Sequence, residues 1–300
     1  MKTKDSKKLK NRILLLTYIY RSLPTIYLKT AAEDEEEKKK IHWIVNNLVK
    51  QNYLLQKKTK PIEFIFIHLS QKGYNYVVKE ILKNPEKPFY RHKESRSLLK
   101  PIFNHSFLNF AFLWHFHKKT PSFLTPNIRL YEDSDINNCK VLFSYKGKDV
   151  LISPDAIIYL PDTRKQDFRK AIFVENDTGR ETYKTIYQKM IEYLALAEDG
   201  MDKNKLSSIT LYFVFLSKRR MKRLFTDRDG FLRYFDLYNK TNRGLEVRMR
   251  FLLKTLQSGR FKIYLSTYNH EEPQSPYSFR KYDLTKYLLE KEAAWKNFLS

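Results

Sequence analysis

The sequence predicts an α+β protein in which a helical N-terminal part ends in a β-hairpin and a strand-rich core with added helices follows. Residues 12–52 carry apolar side chains at helical spacing, most clearly Ile41, Ile44, Val45, Leu48 and Val49. Short β-branched and aromatic runs recur later, at Phe64–Leu69, Val141–Tyr145, Val150–Leu160, Lys170–Glu175 and Ile209–Leu216. Asn84-Pro85-Glu86-Lys87-Pro88 separates the two parts with the composition of a linker. The expected domains are therefore 1–90, 91–270 and a C-terminal loop and helix over 271–300.

The elements follow in order. The first helix is read as Arg12–Tyr20. Pro24 opens a second, Thr25–Ala31, because its fixed φ suits a first helical turn. The third begins in the acidic run Glu33 to Glu37, whose charges favour a helix N-terminus, and ends near Gln51. Tyr53-Leu54-Leu55 and Phe64–Leu69, joined by Lys57-Lys58-Thr59-Lys60-Pro61, form the hairpin, and a helix follows near Tyr74–Lys83. Beyond the linker come a long helix over Ser95–Lys118 and strands at Ile128–Glu132, Val141–Tyr145, Val150–Leu160 and Lys170–Glu175. A turn at Asp177-Thr178-Gly179 leads to a helix from Glu181 to Ala197, then the strand Ile209–Leu216. A basic helix opens at Lys218, an amphipathic one spans Leu245–Leu256, and Phe261–Ser266 is the last strand. Residues 270–282 read as loop and Leu284–Phe298 as a terminal helix.

Composition narrows the partners. Lys and Arg number 57 against 33 Asp and Glu, a net charge of +24. Such a surplus fits a polyanion, because each lysine or arginine that replaces condensed counterions gains affinity from their release. Solubility charge and an acidic membrane surface are the alternatives. Hydrophobic residues at 42% exclude global disorder. The single cysteine, Cys139, cannot form an internal disulfide or a zinc site, which fits a reducing cytoplasm. No apolar run reaches the length of a membrane span. Basic Lys2–Arg12 before apolar Ile13–Tyr20 faintly imitates a signal peptide, but the run is short, carries Thr17 and lacks a small-residue cleavage site.

Three helices before a hairpin is the order of a winged helix-turn-helix domain, in which the third helix enters the major groove and the wing touches the backbone. That assigns Lys38, Lys39, His42, Asn46 and Lys50 on the helix, and Lys57, Lys58 and Lys60 on the wing, to DNA. Protein–protein docking is the other use of this domain.

The chemistry concentrates in Pro154-Asp155-Ala156 and Glu175-Asn176-Asp177, each set at the end of an apolar run. On adjacent strands these segments place three carboxylates together. Rigidly held carboxylates bind Mg²⁺ or Mn²⁺ and so assist attack on a phosphodiester. The order resembles restriction-endonuclease-like folds, which use Pro-Asp on one strand and Glu-x-Lys on the next. Asp177 stands where that lysine is expected, and Lys184 or Lys189 on the following helix are the substitutes. The structural alternative makes Asp155 and Asp177 turn formers, with Thr178 capping the helix.

The segment Pro154 to Leu194 also resembles the plasmid replication-relaxation family, kin of one class of plasmid mobilisation relaxases. The residues carrying the likeness are Pro154-Asp155-Ala156, then Glu175-Asn176-Asp177-Thr178-Gly179-Arg180-Glu181-Thr182, then Lys189 and Tyr193, with Asn104-His105-Ser106 upstream. The likeness extends over roughly residues 12–270. It implies binding at a plasmid origin and relaxation or nicking of that DNA, with Asp155, Glu175, Asp177, Lys189 and His105 as catalytic candidates and Arg180 as a DNA contact.

Other motifs are weaker. His115-Phe116-His117 imitates the metal-binding triplet of rolling-circle nickases, but helical flanks send its two histidines to diverging faces. Among the 21 tyrosines, Tyr183 and Tyr187 are the first suspects for a covalent nucleophile, with packing or base stacking as the alternative. Basic stretches at 218–223, including Arg219, Arg220 and Arg223, and at 243–254, with Arg243, Arg248, Arg250 and Lys254, interleave with Phe225, Phe231, Tyr234 and Phe235. Such a surface suits single-stranded DNA.

The expected function is origin binding with metal-dependent nicking. The rivals are a non-catalytic accessory factor that recruits a relaxase or a replication initiator, and a winged-helix transcriptional regulator.

Overall fold

The computed structural model describes residues 2–20, 22–25, 28, 32, 34–58, 65–83, 108, 111–113, 128–130, 140–179, 181–226, 254–268 and 279–285. It is a mixed α+β structure with several sheets. The chain divides into two units, Met1–Thr125 with Glu272–Tyr277, and Pro126–Glu271 with Ser278–Ser300.

In the N-terminal unit, helix α1 spans Lys2–Tyr20, ten residues more at its start than periodicity indicated. It buries Leu9, Ile13, Leu14 and Leu16, and the Thr17 hydroxyl donates back to the Ile13 carbonyl at 2.7 Å. Strand β1, Ser22–Pro24, was not expected. It pairs antiparallel with β3, Ile65–Leu69, which also pairs with β2, Leu54–Lys58. Pro24 thus ends an edge strand, where its missing N–H breaks no ladder. Thr25 and Leu28 are helical; the remainder of the expected second helix lies outside the described residues.

Helix α2, Glu35–Lys50, starts where its cap dictates: Asp34 accepts the Glu37 N–H at 2.6 Å. Ile41, Ile44, Val45 and Leu48 form its buried stripe. Helix α3, Gln71–Tyr76, begins three residues before the expected point and continues as a π turn over Val77–Ile81. Ser70 sets this start. Its hydroxyl accepts the Gly73 N–H at 3.0 Å and donates to the Asn52 carbonyl. Ser70→Ala is expected to cost about 1–2 kcal/mol, read as a lower urea midpoint at unchanged slope.

The C-terminal unit is built on a six-stranded sheet in the order β11-β10-β9-β8-β7-β4. The strands are β4 Ile128–Leu130, β7 Ala156–Pro161, β8 Arg169–Asp177, β9 Leu206–Phe215, β10 Phe261–Tyr268 and β11 Phe279–Asp283. Strands β8, β9 and β10 are parallel, while β4, β7 and β11 run antiparallel to their neighbours. Helix α4, Tyr183–Ala195, ends in a π turn over Leu196–Gly200 and connects parallel β8 and β9, the crossover that parallel pairing requires.

A separate hairpin, β5 Val141–Tyr145 and β6 Lys148–Ile152, packs into the same core. Val150–Leu160 is therefore two strands in two sheets, broken at Ser153-Pro154-Asp155. Residues 279–282, expected as loop, belong to edge strand β11. The core gathers Phe173, Phe213, Phe215 and Phe261 from the sheet with Ile186, Met190 and Leu194 from α4. No described helix is long and apolar enough to cross a membrane.

The candidate acidic site

Strand β8 carries the site because its side chains alternate. Glu175 and Asp177 face the α4 side with Phe173, while Asn176 points to the other face, where neither atom of its buried amide has a hydrogen-bond partner. β6 ends at Ile152, and after Ser153 and Pro154 the next residue, Asp155, docks on β8 twice. Its N–H donates to the Val174 carbonyl at 3.0 Å, and its Oδ2 accepts the Asn176 N–H at 2.6 Å. The β7–β8 register pairs Ala156 with Val174, so Asp155 lies across from Glu175.

Helix α4 supplies the counter-charge. Lys189 Nζ lies 2.8 Å from Glu175 Oε2 and 2.7 Å from Glu181 Oε1, and the Tyr193 hydroxyl donates to Glu175 Oε1 at 2.6 Å. Of the two lysines expected on this helix, Lys189 is the one that meets Glu175. Lys184 stands exposed on the first turn of the helix. Glu175 is 2% exposed and Asp155 8%. Burial pushes the Glu175 carboxyl up to about 7; Lys189 opposes that shift and the Asp155 charge adds to it. Burial disfavours the Lys189 ammonium, but the Glu175 and Asp155 charges overcome it and hold the group above the usual lysine value. Burial and the Glu175 charge also raise the Tyr193 phenol well above its ordinary range, so it acts as a hydrogen-bond donor.

Asp177 sits two residues further along in a different environment. Its Oδ1 accepts the Gly179 N–H at 2.8 Å, forming a turn that Gly179 completes at φ +92°. Its Oδ2 is held by Arg220 Nε. Arg220, on helix α5 Lys218–Thr226, also donates to the Glu181 carbonyl and lies 5.1 Å from the Tyr183 ring centroid. Its guanidinium therefore clamps the β8–α4 turn, while Lys218, Arg219 and Arg223 are exposed cations of α5. The α4 cap is Thr182, accepting the Thr185 N–H at 3.2 Å, and not Thr178.

Tyr187 is buried in the core and Tyr183 is half-buried beside Arg220. Tyr193, placed by the sequence on another part of the helix surface, is the tyrosine that touches Glu175. Its i+4 spacing from Lys189 was the available signal, because both side chains then share one helix face.

In the N-terminal unit, α2 turns its polar side to solvent. Lys39 and Lys50 are exposed, His42 and Asn46 are hydrogen-bonded at 3.1 Å, and Lys38 and Lys40 pair with Glu35 and Glu36. Glu37 pairs with Arg12 at 2.8 Å. Trp43, not singled out from the sequence, is 62% exposed at the centre of this face. Lys57 and Lys58 lie on β2, their side chains outside the described residues. Also outside them are Lys60, His105, the His115-Phe116-His117 triplet, Arg180, Phe231, Tyr234, Phe235, Arg243, Arg248 and Arg250.

The family model for replication-relaxation proteins matches residues 21–211, well over half of the 300-residue chain. This chain belongs to the replication-relaxation family. The matched span runs from β1 into β9 and contains Asp155, Glu175, Asp177, Lys189 and Tyr193, whereas Arg220 lies beyond it. Comparison with curated proteins and with solved structures gives no match. Replication-relaxation membership ties the protein to replication of plasmids or mobile elements.

Proposed function

We propose that this replication-relaxation protein binds origin DNA through an N-terminal winged helix and nicks it at the acidic site of a restriction-endonuclease-like core. The observation that carries the reading is the meeting of Asp155, Glu175 and Lys189 at one buried point. The element order in the C-terminal unit supports it: antiparallel β7 and β8 carry the carboxylates, and α4 then leads to parallel β9. In the N-terminal unit, α2 precedes a hairpin, and β1 adds to its far strand. Self-pairing of Glu35, Glu36 and Glu37 with Lys38, Lys40 and Arg12 removes the repulsion that an acidic helix start would exert on phosphates.

Asp155 and Glu175 fit a divalent ion in kind. They are hard oxygen donors, and Mg²⁺ is commonly held by one or two carboxylates together with substrate phosphate. Among the described residues no three His, Cys, Asp or Glu side chains converge as a ligand group, and Asp177 is engaged by Arg220. A bound Mg²⁺ or Mn²⁺ would supply Lewis-acid polarisation of a phosphodiester oxygen. Lys189, oriented by Glu175 and Glu181, steadies negative charge developing on the phosphate.

The test is a supercoiled plasmid carrying the cognate origin, incubated with Mg²⁺, Mn²⁺ or EDTA and resolved after protease and detergent. Wild type is expected to yield metal-dependent open circles, reduced to background by Glu175→Ala and by Asp155→Asn, which keeps the acceptor for the Asn176 N–H. Intact supercoils despite tight wild-type binding would reject nicking.

One observation favours a non-catalytic accessory factor. Both Glu175 oxygens and both Asp177 oxygens are already satisfied within the protein, so the cluster can serve as a structural clasp. That reading predicts binding without any change in DNA topology.

A further inference from the structure

A second cationic centre in the N-terminal unit lies apart from the α2 contacts already described. Three segments build it: Lys7 and Lys10, one turn apart on α1; Tyr53, just beyond the end of α2; and Lys72, in the first turn of α3. Lys10 Nζ stands 4.3 Å from the Tyr53 ring centroid and 4.9 Å from that of Tyr76. Lys72 Nζ stands 4.5 Å from the same Tyr53 ring and donates to the Gln51 carbonyl at 3.0 Å. The two rings meet edge-on with centroids 5.4 Å apart, and the Tyr76 hydroxyl donates to Asn11 Oδ1 at 3.1 Å. The aromatic frame is therefore fixed, and two ammonium groups share one ring.

Cation–π contact offsets part of the repulsion between these charges. Among the described residues Lys7, Lys10 and Lys72 have no carboxylate partner. Glu80 acts electrostatically on the Tyr76 phenol without pairing with these lysines. Burial, together with the Lys72 and Lys7 charges, draws Lys10 below the ordinary lysine value. An anion at this centre would relieve that repulsion.

The location selects the anion. Gln51 caps α2 at its C-terminal end and its carbonyl accepts from Lys72, so the centre lies beside the last turn of that helix. A helix set in a groove is registered by backbone phosphates at its ends. We propose that Lys10 and Lys72, held around the Tyr53 ring at the C-terminal end of α2, seat one backbone phosphate of bound duplex DNA. The inference rests on the DNA-binding part of the proposed function.

The experiment is a salt series with full-length protein and a fluorescein-labelled duplex of arbitrary sequence. Lys10→Gln/Lys72→Gln is expected to weaken binding several-fold and to flatten the plot of log affinity against log salt by about 0.9, the value of one phosphate contact. Lys10→Arg/Lys72→Arg should retain the wild-type slope. So should Lys148→Gln/Lys203→Gln, which removes two exposed charges from the C-terminal unit. If the Lys10 double variant melts early, Lys72→Gln alone carries the comparison, because Lys72 is exposed. Wild type that fails to bind duplex would overturn the DNA reading and the seat with it. Wild-type affinity and slope in the Lys10/Lys72 variant would overturn the seat alone, and selective loss of binding to polyglutamate would reassign it to an acidic protein partner.

Discussion

Lys189→Met is expected to destabilise the C-terminal unit by about 3–5 kcal/mol near pH 8, the usual consequence of removing one partner from a buried ion pair. In a unit of this size that lowers the melting temperature by on the order of 10 °C. The variant leaves Glu175 and Asp155 facing each other with the Tyr193 hydroxyl as the remaining donor to Glu175. The pH dependence identifies the cause. Glu175 titrates at about 7 in the folded protein against an ordinary value of 4.5, so the folded state holds its proton more tightly than the unfolded chain. A raised carboxyl contributes stability that is complete below 4.5 and lost as pH rises through about 7. In wild type that loss is at most about 3 kcal/mol, at about 1.4 kcal/mol per pH unit. Methionine removes the attraction that restrains the shift, so the decline between pH 5 and pH 8 becomes steeper. At pH 5 Glu175 is largely protonated in both proteins, and the deficit should shrink to what the Glu181 pair, the Asp155 charge and the lysine stem contribute. Urea unfolding at the two pH values measures this. An equal deficit at both would assign the loss to the lysine stem and its Glu181 pair and remove the Glu175 account.

Gly73→Ala is expected to unfold the N-terminal unit or to cost it about 3 kcal/mol or more, the upper end for overpacking. A Cβ at position 73 would stand 2.0 Å from the Tyr53 carbonyl oxygen, 2.9 Å from its carbon and 3.2 Å from Leu69 Cδ2. The first two are backbone atoms, and that carbonyl also accepts the Ser70 N–H at 3.0 Å, so it cannot move aside cheaply. The clash would lift α3 from the start of β2 and carry Lys72 away from Tyr53. Gly147→Ala is the internal comparison. It meets open space at φ +77° and should cost only about 1 kcal/mol of conformational strain. Thermal melts of both variants decide the ranking, and a Gly73→Ala protein that melts with wild type would contradict the close packing of α3.

Local chemistry made several elements legible. Val141–Tyr145 is the strand its apolar and aromatic run predicted, and α2 and α4 follow their apolar stripes. Of the three expected carboxylates, Asp155 and Glu175 meet across one strand pair, while Asp177 is drawn away to Arg220. Elements with weak local signals were missed. Three residues, Ser22–Pro24, form a strand because β3 offers an edge, and Phe279–Asp283 becomes one because β10 does. Val150–Leu160 read as a single run because periodicity does not register Pro154 turning the chain into another sheet.

By itself the sequence determined the family, the basic character of the surface and the acidic pattern on β8, because composition, motif spacing and strand alternation are written in neighbouring residues. Only the tertiary structure decided what each carboxylate faces. Lys189 reaches Glu175 across 14 residues, Tyr193 across 18, and Arg220 reaches Asp177 across 43. Those meetings depend on the crossover through α4, on the rotation of that helix against the sheet and on where α5 leaves β9. Such quantities are set by packing of the whole core, and for that reason Asp177 lies with an arginine while Glu175, two residues away, shares its buried site with Asp155.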